Sequence, residues 1–317
     1  MKKYYPENYL IATQENKNIL SSKAAIKEAF YSGRVLECRA TVCDKDHNLH
    51  VDLGVMKGII PRDEGAVGID VGSVRDIAII SRVNKPVVCR IIDFKTDEKG
   101  EVYAVLSRKS VQQDCMREYI SSLVPGCVID ATVTHMESFG VFADIGAGIS
   151  ALMPIDSISV SRIPHPSARF TPGQKIKAVV KSIDENGRIT LSYKELLGTW
   201  EENAADFNAG ETVPGIVRSV ERYGIFVELR PNLAGLAEYV PGVVPGQHAS
   251  VYIKNLIPER MKIKLIIVDS FDAEYPNEPV KYYNDRDFIS HWTYSPESCD
   301  KKIETIFSSH ELTQDAI

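Results

Sequence analysis

One stretch of this chain is written twice, 84 residues apart, and that repetition limits the folds open to it. Residues 126–145 read GCVIDATVTHMESFGVFADI and residues 210–229 read GETVPGIVRSVERYGIFVEL. The offset continues through Asp144/Glu228 and Leu152/Leu236. Each copy sets two aromatics three apart around a glycine, Phe139-Gly140-x-Phe142 and Tyr223-Gly224-x-Phe226. Both copies alternate apolar and polar residues at the period of a half-buried strand.

The first of these copies predicts five strands in about 70 residues, the size of a small closed barrel. Val128–Val133, Phe139–Ile145, Ser150–Met153, Lys175–Ile183 and Arg188–Tyr193 read as its strands. Asn186-Gly187 supplies the tight turn before the last of them. The second copy follows the same order, with Pro172-Gly173-Gln174 returning as Pro245-Gly246-Gln247 at an offset of 73. The preceding loop is therefore 11 residues shorter in that copy, and loops are where a repeated fold absorbs length changes.

A third, worn copy lies upstream. Val51-Asp52-Leu53-Gly54 matches Ala143-Asp144-Ile145-Gly146, and Leu106-Ser107-Arg108-Lys109 matches Leu191-Ser192-Tyr193-Lys194. Ile91-Ile92-Asp93 aligns with Ser182-Ile183-Asp184, and His47 and His50 fall at the aromatic positions. The expected architecture is mainly β: three tandem five-stranded OB-fold barrels joined by short helices, with a C-terminal extension. The boundaries are a helical segment over 1–32, a degenerate barrel over 33–110, a linker helix over 111–125, barrels over 126–195 and 210–270 with a linker helix over 196–209 between them, and the extension over 271–317. Ser22–Phe30 reads as a helix, 271–290 as extended chain and 298–309 as a short helix.

The net charge of −6 argues against a general polyanion binder. Its distribution answers that objection. Residues 33–110 carry 13 basic and 12 acidic side chains, residues 124–197 carry 7 and 7, and residues 208–270 carry 7 and 6. Residues 271–317 carry 4 and 10. Near-neutral barrels can hold single strands by stacking bases on aromatics. Six cysteines without a CxxC pair read as reduced thiols in a cytoplasm. The chain has no long apolar run and no apolar core behind its N-terminal lysines, so neither a membrane span nor a secretory signal is expected.

The candidate nucleic-acid-binding residues are Phe139, Phe142, Tyr223 and Phe226, with Asp184 and Arg188 beside the Asn-Gly turn. Lys181 and Lys254, matched at an offset of 73, flank the same face. Lys262 takes the place of Arg188, and Pro258 that of Asp184. Aromatics three apart share one face of a strand only if the glycine between them kinks it. Nothing gathers into a catalytic triad, a phosphate loop or a metal site, so no enzyme activity, cofactor or small-molecule substrate is expected. A protein–protein adaptor and an enzyme of RNA turnover are the rival readings.

The pattern G-x-V-x(4)-V…F/Y-G-x-F…PGQ…R-I-x-L-S resembles the RNA-binding domain named after ribosomal protein S-one of the bacterial small subunit. The likeness covers about 33–270, in the order of the shortened forms of that protein. It implies a translation-associated protein that holds single-stranded, pyrimidine- or A-rich RNA, with the small ribosomal subunit as a further partner. It also implies the two aromatics and the Asp184/Arg188 pair as contacts, together with a strand-three histidine that is absent here. Pro61, Pro154 and Glu238 hold that position.

Overall fold

The computed structural model describes residues 4–274 and 280–307. They form two compact units: 1–123 with 130–132 and 144–150, and the remainder from Val124. Three closed five-stranded barrels account for most of the chain. The first is built from β1 (Val35–Cys43), β2 (Leu49–Asp52), β3 (Lys57–Ile60), β4 (Pro86–Thr96) and β5 (Val102–Ser107). The second comprises β6 (Val128–Glu137), β7 (Gly140–Asp144), β8 (Ser150–Pro154), β9 (Lys175–Ile183) and β10 (Ile189–Ser192). The third comprises β11 (Thr212–Glu221), β12 (Gly224–Arg230), β13 (Leu233–Ala237), β14 (His248–Ile257) and β15 (Lys262–Phe271). In each, the third strand pairs in parallel with the fifth to close the barrel.

Alternation explains the cores. Val141 and Ala143 point into the second barrel, and Ile225 and Val227 into the third, all fully buried, while Phe142 and Phe226 between them face outward. Helices occupy the connections. In the first unit α1 (Gln14–Ile19) precedes α2 (Lys23–Tyr31), capped by the Ser22 hydroxyl, and α4 (Lys109–Glu118) follows β5; α3 (Ile77–Ile80) is a single turn between β3 and β4. In the second unit α5 (Trp200–Ala204) starts at a capping box between Thr199 and Glu202.

The barrel copies align by register differently from the sequence match in one place. Asp93 pairs with Val105, as Ser182 pairs with Thr190, so Asp93 corresponds to Ser182 rather than Asp184. The true counterpart of Asp184 is Asp97. Each accepts two backbone N–H groups on one carboxylate oxygen, from Lys99 and Glu101 in one case and Asn186 and Arg188 in the other. The strands β4 and β5 are each extended at the turn, which hid the equivalence. In the third barrel Ile257, not Pro258, pairs with Lys262 and takes the place of Asp184. A 3₁₀ turn over Pro258–Arg260 replaces the Asn-Gly hairpin there.

The acidic residue ending the second strand is buried in two copies. In the first unit Asp144 accepts the Glu7 N–H at 2.7 Å and the Gly146 N–H at 2.8 Å. Burial and the charge of Glu7 push its carboxyl up to about 7 despite those bonds. Glu7 is itself held by Arg108 (2.7 Å) and Arg82 (2.9 Å). In the second unit Glu228 accepts a bidentate pair of bonds from Arg218, at 3.0 and 2.9 Å, and a further bond from Arg169. Arg169 belongs to the loop that is longer in the second barrel, so that length reaches the third. Burial pulls the Arg169 guanidinium below the ordinary arginine value, and Glu228 offsets part of that loss. Asn232 works beside it: its side chain accepts the Val160 N–H at 3.0 Å and donates to the carbonyls of Lys194 and Gly198.

The C-terminal extension departs from expectation. Residues 304–306 of the predicted helix are strand β17 (Glu304–Ile306), paired with β16 (His291–Thr293), and Ser308 and Ser309 lie outside the described residues. The extension folds back over the second unit. Val128 donates to the Asp287 carbonyl and Ile289 to the Gly126 carbonyl, both at 2.9 Å. The Tyr294 hydroxyl reaches the Asn232 carbonyl at 2.5 Å, and Trp292, Tyr294 and Phe307 are buried.

Glu228→Gln leaves two arginines without their carboxylate and is expected to cost about 3–5 kcal/mol in denaturant unfolding of the second unit. Trp292→Ala is expected to cost a similar ~3–5 kcal/mol. Losses under about 1 kcal/mol for both would show that neither the latch nor the extension supports the fold.

Candidate nucleic-acid interface

The first two strands of the second and third barrels are joined by two-residue loops. Glu221 pairs with Gly224, so Arg222 and Tyr223 form the loop in the third barrel. Ser138 and Phe139 form the matching turn between Glu137 and Gly140. The first aromatic of each pair is therefore a loop residue, which frees it from strand alternation. The expected kink at the glycine is not how the rings come together. The bulge lies on the opposing strand instead, at Arg218 between Val217 and Ser219. Thr134, the counterpart of Arg218, donates its hydroxyl to the Phe142 carbonyl at 3.0 Å.

The glycine has a different task. A Cβ on Gly140 would lie 2.4 Å from the Met153 carbonyl oxygen, and one on Gly224 2.5 Å from that of Ala237. Only a residue without a side chain lets the turn descend this far onto the end of the third strand. The outcome is the same in both barrels: Phe139 and Phe142 meet edge to face at 6.1 Å and 90°, Tyr223 and Phe226 at 6.1 Å and 85°. Phe139 is 54% exposed and Tyr223 71%. Exposed aromatics in a fixed mutual geometry are what a stacking platform requires.

The basic candidates divide by position. Lys181 and Lys254 are each the extra residue of a β-bulge in the fourth strand, the same bulge in both barrels. A bulge re-aims its side chain, and the Lys181 ammonium turns to donate to the Ser157 hydroxyl at 2.9 Å. Lys254 and Lys262 are exposed. Asp184 does not pair with the Arg188 guanidinium. Its carboxylate is spent on the N–H groups of Asn186 and Arg188, so it shapes the turn, and Arg188 projects from that turn into solvent.

The register also brings in residues that sequence reasoning passed over. Outward-facing partners run Ser219–Phe226–Leu236–Lys264–Asn255 across the third barrel. Lys264 thus lies in the row of Phe226, and its alternation with buried Ile263 and Leu265 was a usable signal. In the second barrel His135 takes the place of Ser219. Its ring lies near-parallel to Phe142 at 6.2 Å and 24°, with Nε2 2.6 Å from Glu137. No local pattern marked it, because the contact is made across the hairpin.

The first barrel has the same row without the chemistry: Val42–His50–Ile59–Val105–Asp93. His50 is bound to Asp44 at 3.1 Å, and His47 stands 3.8 Å from Asp76. Burial acts to raise Asp44, but hydrogen bonds from Asn48 and His50 outweigh it and hold its carboxyl down to about 2. Glu101, at the position of Arg188, pairs with Lys57 at 3.3 Å.

The S1 RNA binding domain model matches residues 123–194, the second barrel and its flanks. The small ribosomal subunit protein bS1 homolog of Bacillus cereus is 32% identical over 300 residues, 86% of this chain and 75% of that protein. The chain belongs to the bS1 family. The bS1 proteins of Staphylococcus aureus and Leuconostoc lactis are 29% and 33% identical, over 82% and 56% of this chain and 66% and 45% of their own lengths.

Gly140→Ala forces the Met153 carbonyl aside and is expected to cost about 2 kcal/mol. Thermal unfolding measures that loss; an unchanged Tm would mean that the close approach does not constrain the turn.

Proposed function

We propose that this chain holds single-stranded RNA on its second and third barrels, as a non-catalytic protein of the small ribosomal subunit in translation. The observation that carries this reading is the pair of aromatic platforms, built alike at equivalent loops of two barrels and left open to solvent. Membership of the bS1 family and the match to an RNA-binding domain support it. Rings of this kind stack on any base, so sequence preference should be low. Phe139, Phe142, Tyr223 and Phe226 supply the stacking. Arg188, Lys181, Lys254 and Lys262 supply charge along the strand, and Asp184 sets the turn that presents Arg188. The first barrel, whose polar side chains are committed to one another, contributes little. Among the described residues no helix is long and apolar enough to cross a membrane.

Removing Phe139 and Tyr223 together, as Phe139→Ala/Tyr223→Ala, is expected to weaken binding of a labelled single strand by about tenfold or more. The fold should survive, because both rings are exposed. Affinity equal to the parent's in a fluorescence-anisotropy titration would refute the stacking reading.

A further inference from the structure

The matched rows on the second and third barrels differ at the places of Ser219 and Lys264. Thr190 stands in the second barrel where Lys264 stands in the third, each paired with the outward leucine of the third strand, Leu152 or Leu236. His135 stands in the second where Ser219 stands in the third. We infer that the two barrels grip RNA by different means: the second by a third ring, His135, added to Phe139 and Phe142, and the third by a fixed phosphate contact from Lys264. The inference rests on the RNA-binding reading above and assigns two further contacts within it.

The geometry supports each assignment separately. The His135 side chain is 63% exposed and its ring runs near-parallel to Phe142, so it widens the aromatic surface beside Phe142. Glu137 on the same strand is the charged group within ion-pairing reach of it among the described residues, and Phe142 is the ring that packs on it from β7. A ring lying near-parallel to Phe142 offers a base a stacking surface, and the Glu137 carboxylate 2.6 Å from its Nε2 leaves a phosphate little attraction there. Lys264 is exposed on the third barrel, in line with Leu236 and Phe226, with no ion pair or hydrogen bond of its side chain among the described residues. An unpaired ammonium in the row of a stacking ring is placed to meet the phosphate that follows a stacked base. In the first barrel the corresponding residues are Val42 and Val105, which can do neither.

The two contacts are separable by salt. Each phosphate neutralised adds about 0.7 to the slope of log K against log salt for a single strand, whereas stacking by a neutral ring adds none. The test uses the full chain and labelled oligouridylate at about pH 8, where an ordinary imidazole is uncharged. To isolate the second barrel, His135→Ala and His135→Phe are each placed in a Tyr223→Ala/Phe226→Ala background. His135→Ala should weaken binding about three- to tenfold with an unchanged salt slope, and His135→Phe should restore it. To isolate the third barrel, Lys264→Ala and Lys264→Arg are placed in a Phe139→Ala/Phe142→Ala background. Lys264→Ala should lower the salt slope by about 0.7, and Lys264→Arg should keep it. Affinity for His135→Ala equal to that of its Tyr223→Ala/Phe226→Ala background, or a slope for Lys264→Ala equal to that of its Phe139→Ala/Phe142→Ala background, overturns the respective assignment while leaving RNA binding intact. A parent chain that binds no oligouridylate at any salt overturns both the assignments and the reading beneath them. Circular dichroism matching the parent's confirms that these surface changes leave the barrels folded.

Discussion

Two backbone carbonyls, those of Met153 and Ala237, stand where a side chain would begin on Gly140 and Gly224, and the two aromatic pairs depend on that approach. Because the hairpin can settle onto the end of the third strand, its second loop residue comes level with the outward residue of the strand that follows. Phe139 then meets Phe142, and Tyr223 meets Phe226, at the same distance and nearly the same angle. The rings cost little to hold in place, since the loop is two residues long and the closed barrel fixes both ends of it. A platform arranged before the ligand arrives loses less on binding than one assembled around it.

A second constraint acts between barrels. The carboxylate near the end of the second strand, Asp144 or Glu228, is buried and accepts, beside bonds from its own barrel, one from a segment that precedes that barrel in sequence. In the second unit this fastens the third barrel through Arg169, Asn232 and the extension that crosses both. On the RNA-binding function we propose, two stacking faces in one unit would raise the effective concentration of the second contact once the first is made, so that modest stacking at each face would suffice without dense positive charge.

Much of this was legible in the residues. Alternation and the 84-residue offset carried the barrels, the connectors and both aromatic pairs, because these depend on local periodicity. What the sequence hid depends on register or on distant partners. Asp93 was matched to Asp184 when a longer β4–β5 hairpin had moved the turn to Asp97. Asp184 and Arg188 stand together beside the Asn-Gly turn, but the Asp184 carboxylate accepts the N–H groups of Asn186 and Arg188, a role that only the backbone reveals. His135 and Lys264 became visible only once strands were laid side by side. The extension carries no period at all. Its shape follows from contacts such as Tyr294 with Asn232 and Thr305 with Glu195, far apart in the chain.

We propose that capture is graded along the chain, strong on the second and third barrels and absent on the first. Photo-crosslinking of a thiouridine-containing single strand to the full chain, followed by peptide mapping, separates the barrels. Crosslinks are expected on the peptides carrying Phe139, Phe142, Tyr223 and Phe226 and not on those carrying Val42 and His50. Crosslinks concentrated on the first barrel, with the aromatic peptides unmodified, would contradict it.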